Sequence, residues 1–258
     1  MKFIAYIKNI FLKYLRLFFK VDLVQIGSKR PIQIVEATPF DLQTLEIASK
    51  ISMQSYERMW ALICATKYVV KNNIPGHFVE CGVYKGGSAV IIARTLISMN
   101  VTNRKIYLYD TFEGMTNPIA FDKKQGTETQ ASQILAETPK GNGENVWAIS
   151  SMDSVVKVLQ QLNYSFNNFQ LIKGDVLETL NQTTPESIAL LRLDTDWYES
   201  TKKEMEVLYP LVKPGGVVIV DDYGHWSGSR KAIDEFLGNK ELQPLMNYID
   251  YAGRLWIK

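Results

Sequence analysis

Cysteine and histidine are scarce: two of each in 258 residues. Cys64 falls in a helix-like segment and Cys81 in a strand-like one, without metal-ligand spacing. That excludes a disulfide framework and makes a reduced, cytoplasmic setting the default. Strong charge of either sign is missing too, the net being +2. Lys2, Lys8, Lys13, Arg16 and Lys20 all sit in the first twenty residues, which hold no acid. The rest of the chain is therefore slightly acidic, which excludes nucleic acid as a substrate, since phosphate binding needs a basic surface. Repeats and Pro- or Ser-rich linkers are lacking, so a single domain is expected. Residues 1–20 are apolar on most of a helical projection, yet charge interrupts them every few positions. A transmembrane helix needs about 20 mostly uncharged residues, and a secretory cleavage site is missing as well.

What the chain does have is apolar runs that stop at acids. Val217-Val218-Ile219-Val220 ends at Asp221 and Asp222, and Ile188-Ala189-Leu190-Leu191-Arg192-Leu193 ends at Asp194, with Asp196 two residues on. Such runs read as strands buried on both faces of a parallel sheet, and ligands bind beyond the carboxyl ends of those strands. Acids converging there repel unless a positive charge lies between them. A hard divalent cation is the economical answer, and it points to an enzyme.

Helical spacing covers 40–73, strongest from Ser55 to Val70, and Asn72-Asn73-Ile74-Pro75-Gly76 ends it. Strands then alternate with helices. Strands are expected at His77–Gly82, Lys105–Tyr109, Phe169–Lys173, at the runs ending in Asp194 and Asp221, and at Tyr248–Tyr251 and Leu255–Ile257. Helices are expected at Ala89–Ser98, Met152–Leu162, Ser200–Tyr209 and Ser229–Leu237, with a short one near 128–137. The fold class is α/β: a Rossmann-like, doubly wound, mostly parallel seven-stranded sheet with an N-terminal helical extension. Residues 1–20 read as a basic amphipathic helix and 21–258 as one domain. Within that domain, 40–73 form a helical cap and 111–150 a lid-like loop. The helix at 1–20 either lies in a membrane interface or packs on the core or a partner subunit. A homo-oligomer is the expected assembly.

Glu80-Cys81-Gly82-Val83-Tyr84-Lys85-Gly86-Gly87-Ser88 links the first strand to the first helix of the alternating region. Its spacing is neither the dinucleotide G-x-G-x-x-G nor a P-loop. Glycines here permit a tight turn and close approach of backbone N–H groups to a ligand. Asp110, ending the next strand, suits a ribose diol. Glu80, Asp110, Asp175, Asp194 and Asp221 end five successive strands, too regular a series for five unrelated helix caps.

Together these blocks resemble the macrocin O-methyltransferase family of class I S-adenosylmethionine-dependent methyltransferases. The residues that carry the likeness are His77–Ser88, Asp110-Thr111-Phe112-Glu113-Gly114-Met115, Arg192 to Thr201, and Asp221-Asp222-Tyr223-Gly224. The resemblance implies methyl transfer from S-adenosylmethionine, with magnesium, to a sugar hydroxyl of a glycoside, glycolipid or glycan precursor. It implies that Glu80, Gly82, Tyr84, Gly86 and Ser88 line the methionine and ribose part of the cofactor and that Asp110 takes the ribose hydroxyls. Asp175 and Val176 would flank the adenine, and Phe112 would open the loop that folds over the cofactor. Asp194, Asp221 and Asp222 would hold the metal, with Asp194 the first candidate for general base and His225 the second. The family usually has glycine at Thr195 and a smaller aliphatic residue at Trp197. Trp147 and Trp226 either stack on a sugar or pack the lid. Two other functions fit such a sheet: a nicotinamide-dependent oxidoreductase, and a non-catalytic scaffold docked at a membrane through residues 1–20.

Overall fold

The computed structural model describes residues 34–141 and 144–258, of which Ala37–Lys258 form one compact unit. The segment read as an amphipathic helix at 1–20 lies outside the described residues. No described helix is long and apolar enough to cross a membrane.

Two helices precede the sheet, α1 (Pro39–Ala48) and α2 (Tyr56–Lys71). The sequence reads 40–73 as continuous helical spacing, but two caps divide it. Thr38 and Asp41 form a capping box on α1, and the Ser55 hydroxyl accepts from the Arg58 N–H to start α2. The intervening 49–55 segment becomes a wall of the site described below. Strand β1 (His77–Cys81) leads into α3 (Gly87–Ser98), and β2 (Ile106–Asp110) into the lid region with α4 (Ala131–Glu137) and α5 (Met152–Gln160). Then come β3 (Phe169–Lys173), the four-residue α6 (Val176–Thr179), β4 (Ile188–Leu193), α7 (Tyr198–Val207), β5 (Val212–Val220) and α8 (Ser227–Asn239). The chain closes with β6 (Asn247–Tyr248) and β7 (Arg254–Ile257).

All seven strands form one sheet in the order β3-β2-β1-β4-β5-β7-β6. The first five are parallel, and β7 pairs antiparallel with β5. Every residue of β4 is buried, and so are Val217–Val220 of β5, as runs covered by helices on both faces should be. Val79, Leu191, Leu193, Val218, Val220 and Trp256 share one core cluster with Ile233 of α8. Burying such a side chain fully contributes about 1.5–3 kcal/mol. The last sheet hairpin is shorter than its sequence suggests. Asp250 accepts from the N–H groups of Ala252 and Gly253, so 250–253 folds as a turn instead of extending β6.

Register explains why the acids meet. Cys81 lies opposite Tyr109 and Leu193, and Leu193 lies opposite Val220. The next residues, Gly82, Asp110, Asp194 and Asp221, therefore emerge at one edge. The strand order reverses between β1 and β4, and a crevice opens there. Only glycine fits at position 82: φ is +86°, and a Cβ would lie 1.9 Å from the carbonyl oxygen of Asp194.

Candidate active site

A cavity of about 380 Å³ occupies this crevice, within the range of small-molecule sites. One end is built from backbone. The Val83 and Tyr84 N–H groups donate to Asp110 Oδ2 at 2.7 and 3.0 Å, and the Phe112 N–H donates to Oδ1 at 2.6 Å. Asp110 thus fixes both the glycine turn and its own loop while lining the cavity. Asp175 caps α6 by accepting from the Leu177 N–H and lines the cavity with Gly174 and Val176. Gly82, Tyr84 and Ser88 line it as well. Ser88 accepts from Gln54 Nε2 at 2.6 Å, which brings the segment between α1 and α2 over this end. Gln54 Oε1 and the Tyr84 hydroxyl are buried there without partners. Buried polar atoms without partners mark a place for a polar ligand.

Three residues expected at this end stand behind the cavity wall and do not line it. Glu80 is fully buried and is not among the lining residues; it pairs with Arg192 at 2.6 Å inside the sheet. Burial pushes its carboxyl up to about 7, against the pull of that guanidinium. Gly86 supplies the left-handed turn before α3 (φ +85°) but does not line the cavity, and Phe112 is buried beside it. All three shape the wall from behind.

The other end is built from charge. Asp194, Asp221 and Asp222 each bring a carboxylate oxygen within 4.8 Å of the others. Arg192, 1% exposed, ties the group together. It reaches Glu80, Asp194 Oδ2 at 2.8 Å and Asp221 Oδ1 at 2.6 Å. Arg58 reaches across from α2 to Asp221 Oδ2 and pairs through Nε with Asp250 at 3.0 Å. Asp196 lies beside Asp222, held by a 3.0 Å hydrogen bond from Trp226 Nε1 and by a left-handed backbone (φ +68°). Burial, together with repulsion from neighbouring carboxylates, holds Asp194 and Asp222 well above the usual carboxylate range and lifts Asp196 to about 7. Asp222 Oδ2 is buried and has no partner. Six acids, Glu80, Asp194, Asp196, Asp221, Asp222 and Asp250, surround two guanidiniums. An oxygen-rich trio with an orphaned carboxylate oxygen fits a hard divalent cation.

His225 lines the mouth, its Nδ1 3.2 Å from the Tyr251 hydroxyl. Burial, aided by Lys124 and Arg58, lowers its pKa and keeps the ring neutral near pH 7. Gly224 lets this loop touch the final hairpin, since a Cβ would lie 1.8 Å from the Tyr251 carbonyl oxygen. The lid is firmly attached. Asp122 is fully buried and accepts from the Ile119 and Tyr198 N–H groups. The Gln125 N–H donates to the His225 carbonyl, and Lys123 and Ser227 exchange backbone and hydroxyl bonds. Trp226 and Trp197 are buried edge-to-face at 5.0 Å, with Trp147 packed on their cluster. For Trp226 and Trp147, packing describes the structure better than an open stacking face.

Sequence inspection gave no role to Arg58, Arg192, Gln54 or Tyr251, and placed Asp196 among the converging acids without a role of its own. Arg192 carried a usable signal, because a guanidinium inside an apolar strand must have buried partners. Arg58 carried none: on its helix it reads as an ordinary solvent-facing residue.

A switch-point crevice with a glycine turn, an acidic strand end and this strand order defines a class I methyltransferase. The macrocin O-methyltransferase (TylF) family model matches residues 47–258, and the chain belongs to that family. It is an S-adenosylmethionine-dependent O-methyltransferase. Demethyldecarbamoylnovobiocin O-methyltransferase of Streptomyces niveus is 30% identical over 196 residues, 73% of this chain and 68% of the relative. The Streptomyces olivaceus 8-demethyl-8-(2,3-dimethoxy-alpha-L-rhamnosyl)-tetracenomycin-C 4'-O-methyltransferase is 29% identical, over 80% of this chain and 74% of the relative. The solved O-methyltransferase NovP superposes with a TM-score of 0.69 at 26% identity, covering 81% of this chain and 82% of its own.

Proposed function

We propose that the protein methylates a sugar hydroxyl of a glycoside, glycolipid or glycan precursor, using Mg2+ held by Asp194, Asp221 and Asp222. One observation carries the reading. A carboxylate trio with a buried, unpartnered oxygen on Asp222 sits at one end of a cavity whose other end is a glycine turn. The sugar enters from the relatives, one of which is named for O-methylation of a rhamnosyl-bearing tetracenomycin and another for mycinamicin III 3''-O-methylation.

Gly82, Tyr84, Ser88 and Gln54 hold the methionine end of S-adenosylmethionine, Asp110 the ribose, and Asp175 and Val176 the adenine. When bound, the cation supplies a Lewis acid and a template for the acceptor hydroxyl. S-adenosylmethionine, when bound, would supply the methyl group to the acceptor oxygen, with S-adenosylhomocysteine as the neutral leaving thioether. Asp196 takes the hydroxyl proton. It lines the cavity, pairs with no arginine, and is aimed by Trp226. Asp194 is left to the cation, because Arg192 already holds its Oδ2. His225 and Tyr251 position the acceptor at the mouth.

Methyl transfer to a panel of nucleotide-linked, lipid-linked and antibiotic-borne sugars, before and after chelation, tests the reading. Transfer to a sugar that stops on chelation and returns with Mg2+ is expected. Full activity in chelator would remove the cation, and transfer to phenols but to no sugar would remove the acceptor class.

A further inference from the structure

We infer that Arg58 holds the cation's place on Asp221 in the cation-free enzyme and releases it when the cation binds. The inference rests on the reading of Asp194, Asp221 and Asp222 as a cation site. It begins with the two oxygens of Asp221. Oδ1 takes Arg192 Nη2 at 2.6 Å, and Oδ2 takes Arg58 Nη1. Arg192 is fixed: it is 1% exposed, grows from the central strand β4, and also holds Glu80 and Asp194. Oδ2 is therefore the oxygen that Asp221 can offer a cation, and Arg58 occupies it. Two positive charges a few ångströms apart repel strongly in a site shielded from bulk water. Occupancy of that oxygen by one opposes occupancy by the other.

Arg58 has an anchor that survives the exchange. Its Nε pairs with Asp250 Oδ2 at 3.0 Å, and that carboxylate is built into the final hairpin. Asp250 Oδ1 accepts from the Ala252 and Gly253 N–H groups at 2.9 and 2.7 Å, and Oδ2 accepts from the Ser55 hydroxyl at 2.6 Å. A guanidinium held at Nε can let go of Asp221 at Nη1 without leaving the cavity wall. While the cation is away, the same group supplements Arg192 in balancing the Asp221 charge. Arg58 is thus a positioning residue that acts through Asp221, and it sets cation affinity by competition.

The test uses Mn2+ as the probe, titrated into the full-length enzyme saturated with S-adenosylhomocysteine, with free Mn2+ counted by electron paramagnetic resonance. Arg58→Met removes the competing charge, and about tenfold tighter Mn2+ binding is expected. Arg58→Gln should behave alike and stands in if the methionine variant no longer binds S-adenosylhomocysteine. Arg58→Lys keeps the charge and should stay within about threefold of the wild type. A merely structural role would weaken Mn2+ binding in all three variants. Unchanged or weaker binding in the methionine and glutamine variants, with S-adenosylhomocysteine still bound, overturns the competition while leaving the cation site standing. A wild-type enzyme that binds no Mn2+ overturns both.

Discussion

The two ends of the cavity are built by opposite means. At the cofactor end, backbone N–H groups and glycine conformations do the shaping, and Asp110 settles its charge on three of those N–H groups. At the acid end, Glu80, Asp194, Asp196, Asp221 and Asp222 gather around Arg58 and Arg192, and Asp222 Oδ2 has no partner. Each end holds buried polar atoms without partners: Gln54 Oε1 and the Tyr84 hydroxyl at the first, and Asp222 Oδ2 at the second.

Substitutions can break that contrast, beginning with the most damaging. Arg192→Leu leaves the buried carboxylates of Glu80 and Asp221, and the partly exposed Asp194, without their shared partner, and a loss of about 3–5 kcal/mol is expected in urea unfolding. A variant as stable as the wild type would mean that the acid end does not depend on internal compensation. Asp222→Asn keeps the shape and removes one charge. Methyl transfer should fall roughly 100-fold, while S-adenosylhomocysteine affinity, read by calorimetry, stays nearly constant. Equal loss of both would erase the division between the ends. Gly82→Ala touches both at once, since its Cβ meets the Asp194 carbonyl and its φ is left-handed. A cost of about 1–3 kcal/mol, with cofactor binding and transfer falling together, is expected. Gln54→Ala sharpens the contrast most gently. Loss of its bond to Ser88, worth about 1 kcal/mol, should weaken S-adenosylhomocysteine about fivefold and leave Mn2+ binding untouched.

How much of this was legible in the sequence follows the same division. Runs such as Ile188–Leu193 and Val217–Val220 announce buried parallel strands, and the acid after each marks the functional edge. Strand register then does the assembling, so Asp194, Asp221 and Asp222 meet as their positions suggest. Glu80 looked like another such acid, but it comes two residues before Gly82 and so stays inside the sheet with Arg192. Arg58 and Asp250 were invisible because their partners come from distant segments: Arg58 reaches Asp221 and Asp250 reaches Ser55, 163 and 195 residues away in the chain. The attachment of the lid was equally hidden. The Gln125 N–H and the His225 carbonyl that join there are backbone groups, which every residue has.

The contact between Gly82 and the Asp194 carbonyl lies at the seam where the two strand tips abut. Main chain, and not adjustable side chains, therefore sets the spacing between the glycine turn and the Asp194 loop. His225 and Tyr251 line the same cavity, so that wall can be reshaped by substituting their side chains while the backbone seam keeps its spacing.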